Sequence, residues 1–300
     1  PDHERIVLTN VPVSSKAAPL LSVLGKKLVH GAISYPVGTR SPAALWQLRR
    51  SLMALEADTM IYLMPSRGMV GVYRDAAFFG LCGFQHMLGV PWTPDLDACR
   101  VTNGVSEPEC ERLGRALACL GPLDLHDPAN WDLGLEPEEI AAGAKVQQAF
   151  GGRPYFTVNM GGKVVKNDWG IDNWRELLGV LGRTYPDFGL LVVGGPEDME
   201  RASIMEEVWP GPLVSACGRL APRESAAAMQ NARLFIGHDS GPMHLASAVG
   251  VSCIGLFGDN NLPGKWHPYI GRNQSIHDMR GVRSISVQQV ASAVRELLNG

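Results

Sequence analysis

Asp239, Ser240, Gly241 and His244 lie together in "IGHDSGPMHLASAVG" (236–250), at the seam between an apolar run and a stretch with helical spacing. A carboxylate, a hydroxyl, a glycine and an imidazole at a strand-to-helix turn suit recognition of an anion and of sugar hydroxyls. Gly237 permits a tight exit from the strand. Asp239 or Ser240 is expected to cap the helix, and Pro242 fits an early helical position that needs no N–H. The amides of Gly241, Met243 and His244 would then point outward at the positive end of the helix, where phosphate binds without a basic side chain. His244 adds a donor to a phosphate oxygen, and Asp239 accepts from a ribose or sugar hydroxyl. The plainer reading is a capped helix whose histidine fills a core position.

A second loop, "NMGGKVVKNDWGIDNW" (159–174), follows another apolar run. Gly161 and Gly162 allow a turn with close backbone approach. Lys163 and Lys166 set cations beside it, and Lys166 could neutralise a diphosphate. "GGPED" (194–198) follows the next apolar run and supplies Glu197. Other chemistries fail on spacing. Gly237-x-x-Ser240-Gly241 is not the Gly-x-Ser-x-Gly nucleophile elbow. No Gly-x-Gly-x-x-Gly or P-loop pattern occurs, which argues against a dinucleotide dehydrogenase or an NTPase.

These loops need a scaffold that gathers them. "YFTVN", "GLLVVGG", "PLVSACG", "RLFIG" and "SCIGLFG" read as buried strands, and helix-length amphipathic stretches separate them. Ile171, Trp174, Leu177, Leu178 and Leu181 give one apolar helical face. Pro222 opens an Ala-rich helix. Ser286 and Gln289 form a capping-box pattern before a final helix. Alternating strands and helices imply a parallel sheet covered on both faces. In the first half, "RIVLTN", "LVHGAI", "TMIYLM" and "HMLGV" are strand candidates, with helices over 42–55, 70–82 and 107–119. Residues 92–104 and 121–137 read as loops. The boundary is placed near Gly151, giving domains 1–150 and 151–300.

Three hundred residues with 45% hydrophobic and 19% charged side chains describe an ordinary globular chain. A net charge of −3 offers no broad basic footprint, so nucleic acid is not an expected partner. No apolar run is long enough to span a membrane. The six cysteines form no Cys-x-x-Cys pair and suggest no metal site, as expected for reduced thiols in a cytoplasmic protein.

The three segments "NMGGKVVKNDWGIDNW", "LLVVGGPED" and "FIGHDSGPMHLASAVGVSCIGLFGDNNLPGKWHP" resemble the C-terminal domain of the lipopolysaccharide heptosyltransferases, glycosyltransferase family 9. The likeness spans roughly 155–298. In the first half it rests mainly on "ADTMIYLMPSRG". It implies the α/β GT-B fold, two Rossmann-like domains with parallel sheets facing across a cleft. The final helix is expected to pack back on the first domain. The implied chemistry is inverting, metal-independent sugar transfer without a cofactor, with the donor in the C-terminal domain and the acceptor in the N-terminal one.

Carried over by position, Asp239, Ser240, Gly241 and His244 fall in the diphosphate and donor-sugar loop. Lys166 matches the donor-site lysine, as leaving-group stabiliser, though one residue further from Trp169 than the family pattern. Gly161 and Gly162 replace small hydroxyl residues seen in some members. Glu197 falls where the ribose is met, and Leu220 where an apolar residue covers the base. Arg67, in "PSRG", is a candidate on the acceptor side, a surface salt bridge being its plainer reading. The family's opening strand and Gly-Asp loop have no match in residues 1–20, and "RIVLTN" resembles its second strand. The general base is therefore expected upstream of Pro1. The implied partners are a nucleotide-sugar donor, a heptose or related sugar, and a glycan or lipid-linked acceptor in cell-surface polysaccharide synthesis. Peripheral contact with the inner face of the cytoplasmic membrane follows from such an acceptor. Two alternatives share the domain plan: a nucleotide-sugar epimerase, and a nucleotide-binding protein that has lost catalysis.

Overall fold

The computed structural model describes residues 3–11, 19–162 and 164–299. Lys163 lies outside them. The chain forms two compact units, one from residues up to Leu21 together with Val29–Leu125, the other from Ser22–Leu28 and everything from His126 onward.

In the first unit, β1 (Ile6–Val11), β2 (Gly31–Pro36), α2 (Pro42–Met53), β3 (Thr59–Ile61), α3 (Gly68–Leu81) and β4 (His86–Leu88) follow one another; of the short α1 (Leu20–Leu24), the residues from Ser22 on belong to the second unit. A one-turn helix α4 (Pro94–Asp97), a hairpin of β5 (Val101–Thr102) and β6 (Val105–Ser106), and α5 (Glu109–Ala116) follow. Strands β1 and β2 pair in parallel, as do β3 and β4, and the two pairs are not hydrogen-bonded to each other. They share a small core nonetheless: Leu8 and Ile33 from one pair and Met60 and Met87 from the other surround Leu48, Leu52 and Phe84. The first strand and turn of the hairpin fall within 92–104, read from sequence as loop, as does α4; Asn103 and Gly104, both at positive φ, form the turn.

The second unit opens with α6 (Pro137–Gln148) and continues β7 (Tyr155–Asn159), α7 (Ile171–Thr184), β8 (Gly189–Val192), α8 (Met199–Glu206), β9 (Leu213–Ser215), α9 (Pro222–Met229), β10 (Leu234–His238), α10 (Gly241–Ala248), β11 (Cys253–Phe257), β12 (Gln274–His277) and α11 (Val287–Asn299). The six strands make one parallel sheet in the order β12-β11-β10-β7-β8-β9. Every residue of β7, β8, β10 and β11 is buried, so these strands read as unbroken apolar runs rather than alternating ones. Their side chains still alternate between faces. Phe156, Val158, Leu190, Val192, Leu234, Ile236, Ile254 and Leu256 enter the cluster under α7 and α11. Tyr155, Leu191, Val193, Phe235, Cys253 and Phe257 enter the cluster under α9 and α10.

The second unit begins upstream of Gly151 because α6 belongs to it. Gly143 rests on the α9 backbone, where an added Cβ would stand 2.6 Å from Ala228 N. Arg223, 2% exposed, completes the attachment. Its guanidinium donates to the Glu139 carboxylate at 2.7 and 2.9 Å and to the carbonyls of Leu24, Leu133 and Gly134 at 3.1, 2.8 and 2.9 Å. The final helix α11 lays Val287, Val290, Ala291 and Val294 into the second unit's own cluster, beside α7. Its capping box forms as the sequence predicts, with Ser286 N–H donating to Gln289 Oε1 at 2.8 Å.

Candidate donor site at the sheet's switch point

From β7 the second sheet grows outward through β8 and β9, and the chain then returns to β10 on the other side of β7. The crevice beyond the carboxyl ends of β7 and β10 is where open α/β sheets bind ligands. Both loops singled out by sequence emerge there. Gly161, Gly162 and Lys166 follow β7, and Asp239, Ser240, Gly241 and His244 follow β10. Glu197 follows β8 in a 3-10 turn over Pro196–Asp198, and Leu220 follows β9. All of them sit on one edge of one sheet. Arg67 belongs to the other unit.

A buried amide stitches the two central loops. Asn159 ends β7, opposite Gly237 of β10. Its Nδ2 donates to the Val193 carbonyl at 2.9 Å, and its Oδ1 lies 3.0 Å from the Ser240 hydroxyl. Ser240 occupies the N-cap position of α10, yet its side chain makes no capping bond. The expected cap is absent because the hydroxyl has a better-placed acceptor on the neighbouring strand. The Met243 amide, expected to face a ligand, donates instead to the Ser240 carbonyl at 3.2 Å. Gly241 faces open space, and an added Cβ there would meet nothing within 4 Å. His244 is exposed on the first turn, and Asp239 is half-buried. Burial raises the Asp239 pKa, opposed by a hydrogen bond from Asn261 Nδ2 to Oδ2 at 3.2 Å.

Gly161 and Gly162, alike in sequence, differ in the fold. A Cβ on Gly161 would overlap the Asp198 carboxylate, so this glycine serves close packing rather than ligand approach. Gly162 faces open space. Asp198, 8% exposed, accepts the Gly195 amide at 3.0 Å within the loop after β8 and packs against Gly161 of the loop after β7. Burial raises its pKa, partly offset by that same amide. Further along the loop, Arg201 forms a two-pronged pair with Asp168 (3.0 and 2.9 Å) and donates to the Met160 carbonyl at 3.0 Å. The Arg201 guanidinium holds the Asp168 carboxyl below the usual range. Lys166 stands on the 3-10 turn Val165–Asn167 between these anchors. It is exposed, with Nζ 3.6 Å from Asp259 Oδ2.

His238 is structural. It is fully buried, accepts the Trp169 amide on Nε2 at 3.2 Å, and packs edge-on against Trp174. Burial lowers its pKa to about 4, against the opposing pull of the Gly161 backbone and Asp168. Among the described residues its Nδ1 makes no hydrogen bond of regular geometry. An unfolded histidine titrates near ~6.5. Between that pH and 4 the unfolded chain takes up a proton that the folded one refuses. This contribution to stability is complete above the unfolded pKa and falls as pH drops toward 4. His267, lowered to about 4 by burial and then by His277, adds a second share. Replacing His238 by Gln should flatten the acid slope: the urea midpoint would fall less than the parent's between about pH 7 and pH 4.5. Equal slopes would remove His238 from the acid response.

Glu197 is exposed, its side chain folded back over Gly195. Leu220 is half-buried against the cluster under α9 and α10. Arg67 precedes α3 and pairs with Asp75 at 3.1 Å. Its backbone is held by Asp97, which is 4% exposed and accepts from Ser66 Oγ and from the amides of Arg67 and Gly68 at 2.8, 3.2 and 2.9 Å. Sequence reasoning missed Asn159, Asp198, Asp259 and Asn261. Only the first carried a usable signal, as a polar residue ending a buried strand. Among the described residues no group of three or more His, Cys, Asp or Glu side chains could hold a metal ion, and no helix is long and apolar enough to cross a membrane.

Residues 97–288 match the model of glycosyltransferase family 9 (heptosyltransferase), so the chain belongs to that family and is a glycosyltransferase. No curated protein matches it. Solved structures give the fold. A glycosyltransferase family 9 protein from Veillonella parvula DSM 2008 superposes with a TM-score of 0.70 at 20% identity, over 96% of this chain and 87% of that one. The E. coli ADP-heptose lipopolysaccharide heptosyltransferase II gives 0.63 at 16%, over 96% and 88%. The E. coli heptosyltransferase WaaC with ADP gives 0.59 at 17%, over 90% and 84%. The chain therefore has the α/β GT-B fold.

Proposed function

We propose that the second unit binds a nucleoside-diphosphate sugar and that the enzyme transfers its sugar, a heptose or a related one, with inversion to a glycan or lipid-linked acceptor of the cell surface. The observation that carries this reading is the convergence of Asp239, Ser240, Gly241, His244, Gly162 and Lys166 on the switch point of the second sheet. The E. coli enzyme that shares the fold is solved with ADP and with ADP-2-deoxy-2-fluoro heptose, which supports the donor class. Membership of family 9 favours transfer over epimerisation.

In this reading the diphosphate lies at the N-terminus of α10, against the Gly241 amide and the positive end of the helix. His244 and Lys166 add donors from either side. The acceptor oxygen attacks the anomeric carbon from the face opposite the diphosphate. The bond to the β-phosphate oxygen breaks and its electron pair leaves with the phosphate. A carboxylate general base takes the acceptor's proton. No metal or cofactor takes part, so helix dipole, imidazole and ammonium carry the developing charge. Glu197 meets the ribose and Leu220 the base. An acceptor of this kind brings the enzyme to the inner face of the cytoplasmic membrane.

The test is thermal unfolding with ADP-, GDP- and UDP-sugars, followed by a transfer assay with the one that binds. A ligand at 100 times its Kd should stabilise the protein by about 2.7 kcal/mol. Failure of every nucleotide sugar to shift the transition would reject the donor site. Conversion of the donor without any acceptor present would point to epimerisation instead.

A further inference from the structure

The loop after β11 touches both halves of the candidate donor site. Asn261 donates to Asp239, and Asp259 pairs with Lys166. Strands β11, β10 and β7 are neighbours in that order, so the loops bearing Asp259, Asp239 and Lys166 are neighbours too. The backbone beside each end of the Lys166–Asp259 pair is packed in place. At Gly258 an added Cβ would stand 2.6 Å from Val282 N, so the loop after β11 lies close on the backbone of the next turn. The turn bearing Lys166 is anchored by buried Asn167 and by the Asp168–Arg201 pair. The two side chains themselves are exposed, at 69% and 42%, and can swing.

We propose that Asp259 is a positioning residue that holds the Lys166 ammonium at the donor site and gives it up to the diphosphate, so that donor binding exchanges one anion for another. The inference rests on the donor-site reading above. A long lysine in a loop is otherwise spread over many rotamers, and a carboxylate on a fixed neighbour narrows them before the ligand arrives. The cost is competition. A ligand that uses Lys166 must first displace Asp259, and an exposed pair yields at low cost. Asp259 thereby sets the affinity for anions that reach Lys166.

Calorimetric titration with inorganic pyrophosphate and with ADP tests this in the parent, Asp259→Asn, Lys166→Ala and the double variant, at low salt. Removing the competing charge should tighten binding ~2- to 5-fold, the range that exposed ion pairs span. The gain should shrink as salt rises. In the Lys166→Ala background the same Asp259→Asn change should have no effect, and Asp259→Glu should keep the parent affinity. Unchanged or weaker binding by Asp259→Asn overturns the proposal. So does an equal gain without Lys166, which would mean that Asp259 repels the ligand directly. If the parent binds neither probe and Lys166→Ala alters no nucleotide-sugar response, the donor site itself is wrong and the exchange falls with it. If Lys166→Ala weakens binding while Asp259→Asn leaves it unchanged, only the exchange falls.

Discussion

A Lys166→Ala enzyme should transfer sugar ~100- to 1,000-fold more slowly than the parent, and His244→Ala should lose a comparable factor, the usual loss when one preorganised donor to a developing anion is removed. Both side chains are exposed, and the Lys166–Asp259 ion pair is a surface pair. Neither change should therefore shift thermal unfolding noticeably, since exposed pairs contribute at most ~1 kcal/mol. The loss should appear mainly in kcat. Charge on the bridging oxygen grows as the glycosidic bond breaks, so a donor aimed at it stabilises the transition state more than the bound substrate. A fall confined to KM would assign the residue to holding the ground-state diphosphate. Rates equal to the parent's in both variants would remove the two residues from the site.

The second unit was legible in the sequence because its sheet is covered on both faces. Strands such as "YFTVN" and "RLFIG" need no polar side, so they stand out as apolar blocks between helical stretches. β12 did not stand out. It is one of the two edge strands, with Gln274, Ser275, Ile276 and His277 all half-buried, and it lacks an apolar run. The domain boundary was obscured for a different reason. Nothing local in Glu139 or Gly143 says which unit they join; a guanidinium far along the chain and the flat Ala227–Ala228 surface decide it.

The site was legible at the level of loops and not of contacts. Strand-end glycines and the Asp-Ser-Gly-Pro turn mark the carboxyl ends of strands of one sheet, and that pattern is local. The parallel order that sets β10 beside β7 is not local, and it decides that Ser240 bonds Asn159 rather than capping α10. Gly161 shows the same limit. Its lack of a side chain reads as room for a phosphate, whereas the room is taken by Asp198, from a loop contributed by the next strand.

Replacing Arg223 by alanine should destabilise the second unit by ~3–5 kcal/mol, the cost of breaking a buried ion pair by removing one partner. The guanidinium is 2% exposed and satisfies three carbonyls as well as Glu139. Gly25, at a φ of 72°, lies directly over it, in a space where no side chain would fit. Alanine leaves the Leu24, Leu133 and Gly134 carbonyls without their donor and the Glu139 carboxylate without its countercharge. Arg223 ties α9 to segments distant in sequence, so the first consequence is local release of residues 22–28 and 133–139. At ~2–4 °C per kcal/mol for a unit of this size, the midpoint should fall by ~10 °C. Limited proteolysis should cut within those two segments before any other part of the unit. Glu139→Gln, which keeps a hydrogen-bond acceptor for Arg223 but strands its charge, should cost less than the alanine change, because the three carbonyls still hold the guanidinium. A fall of under about 2 °C for Arg223→Ala, with unaltered cleavage, would show that apolar packing of α6 on α9 holds these segments without the arginine.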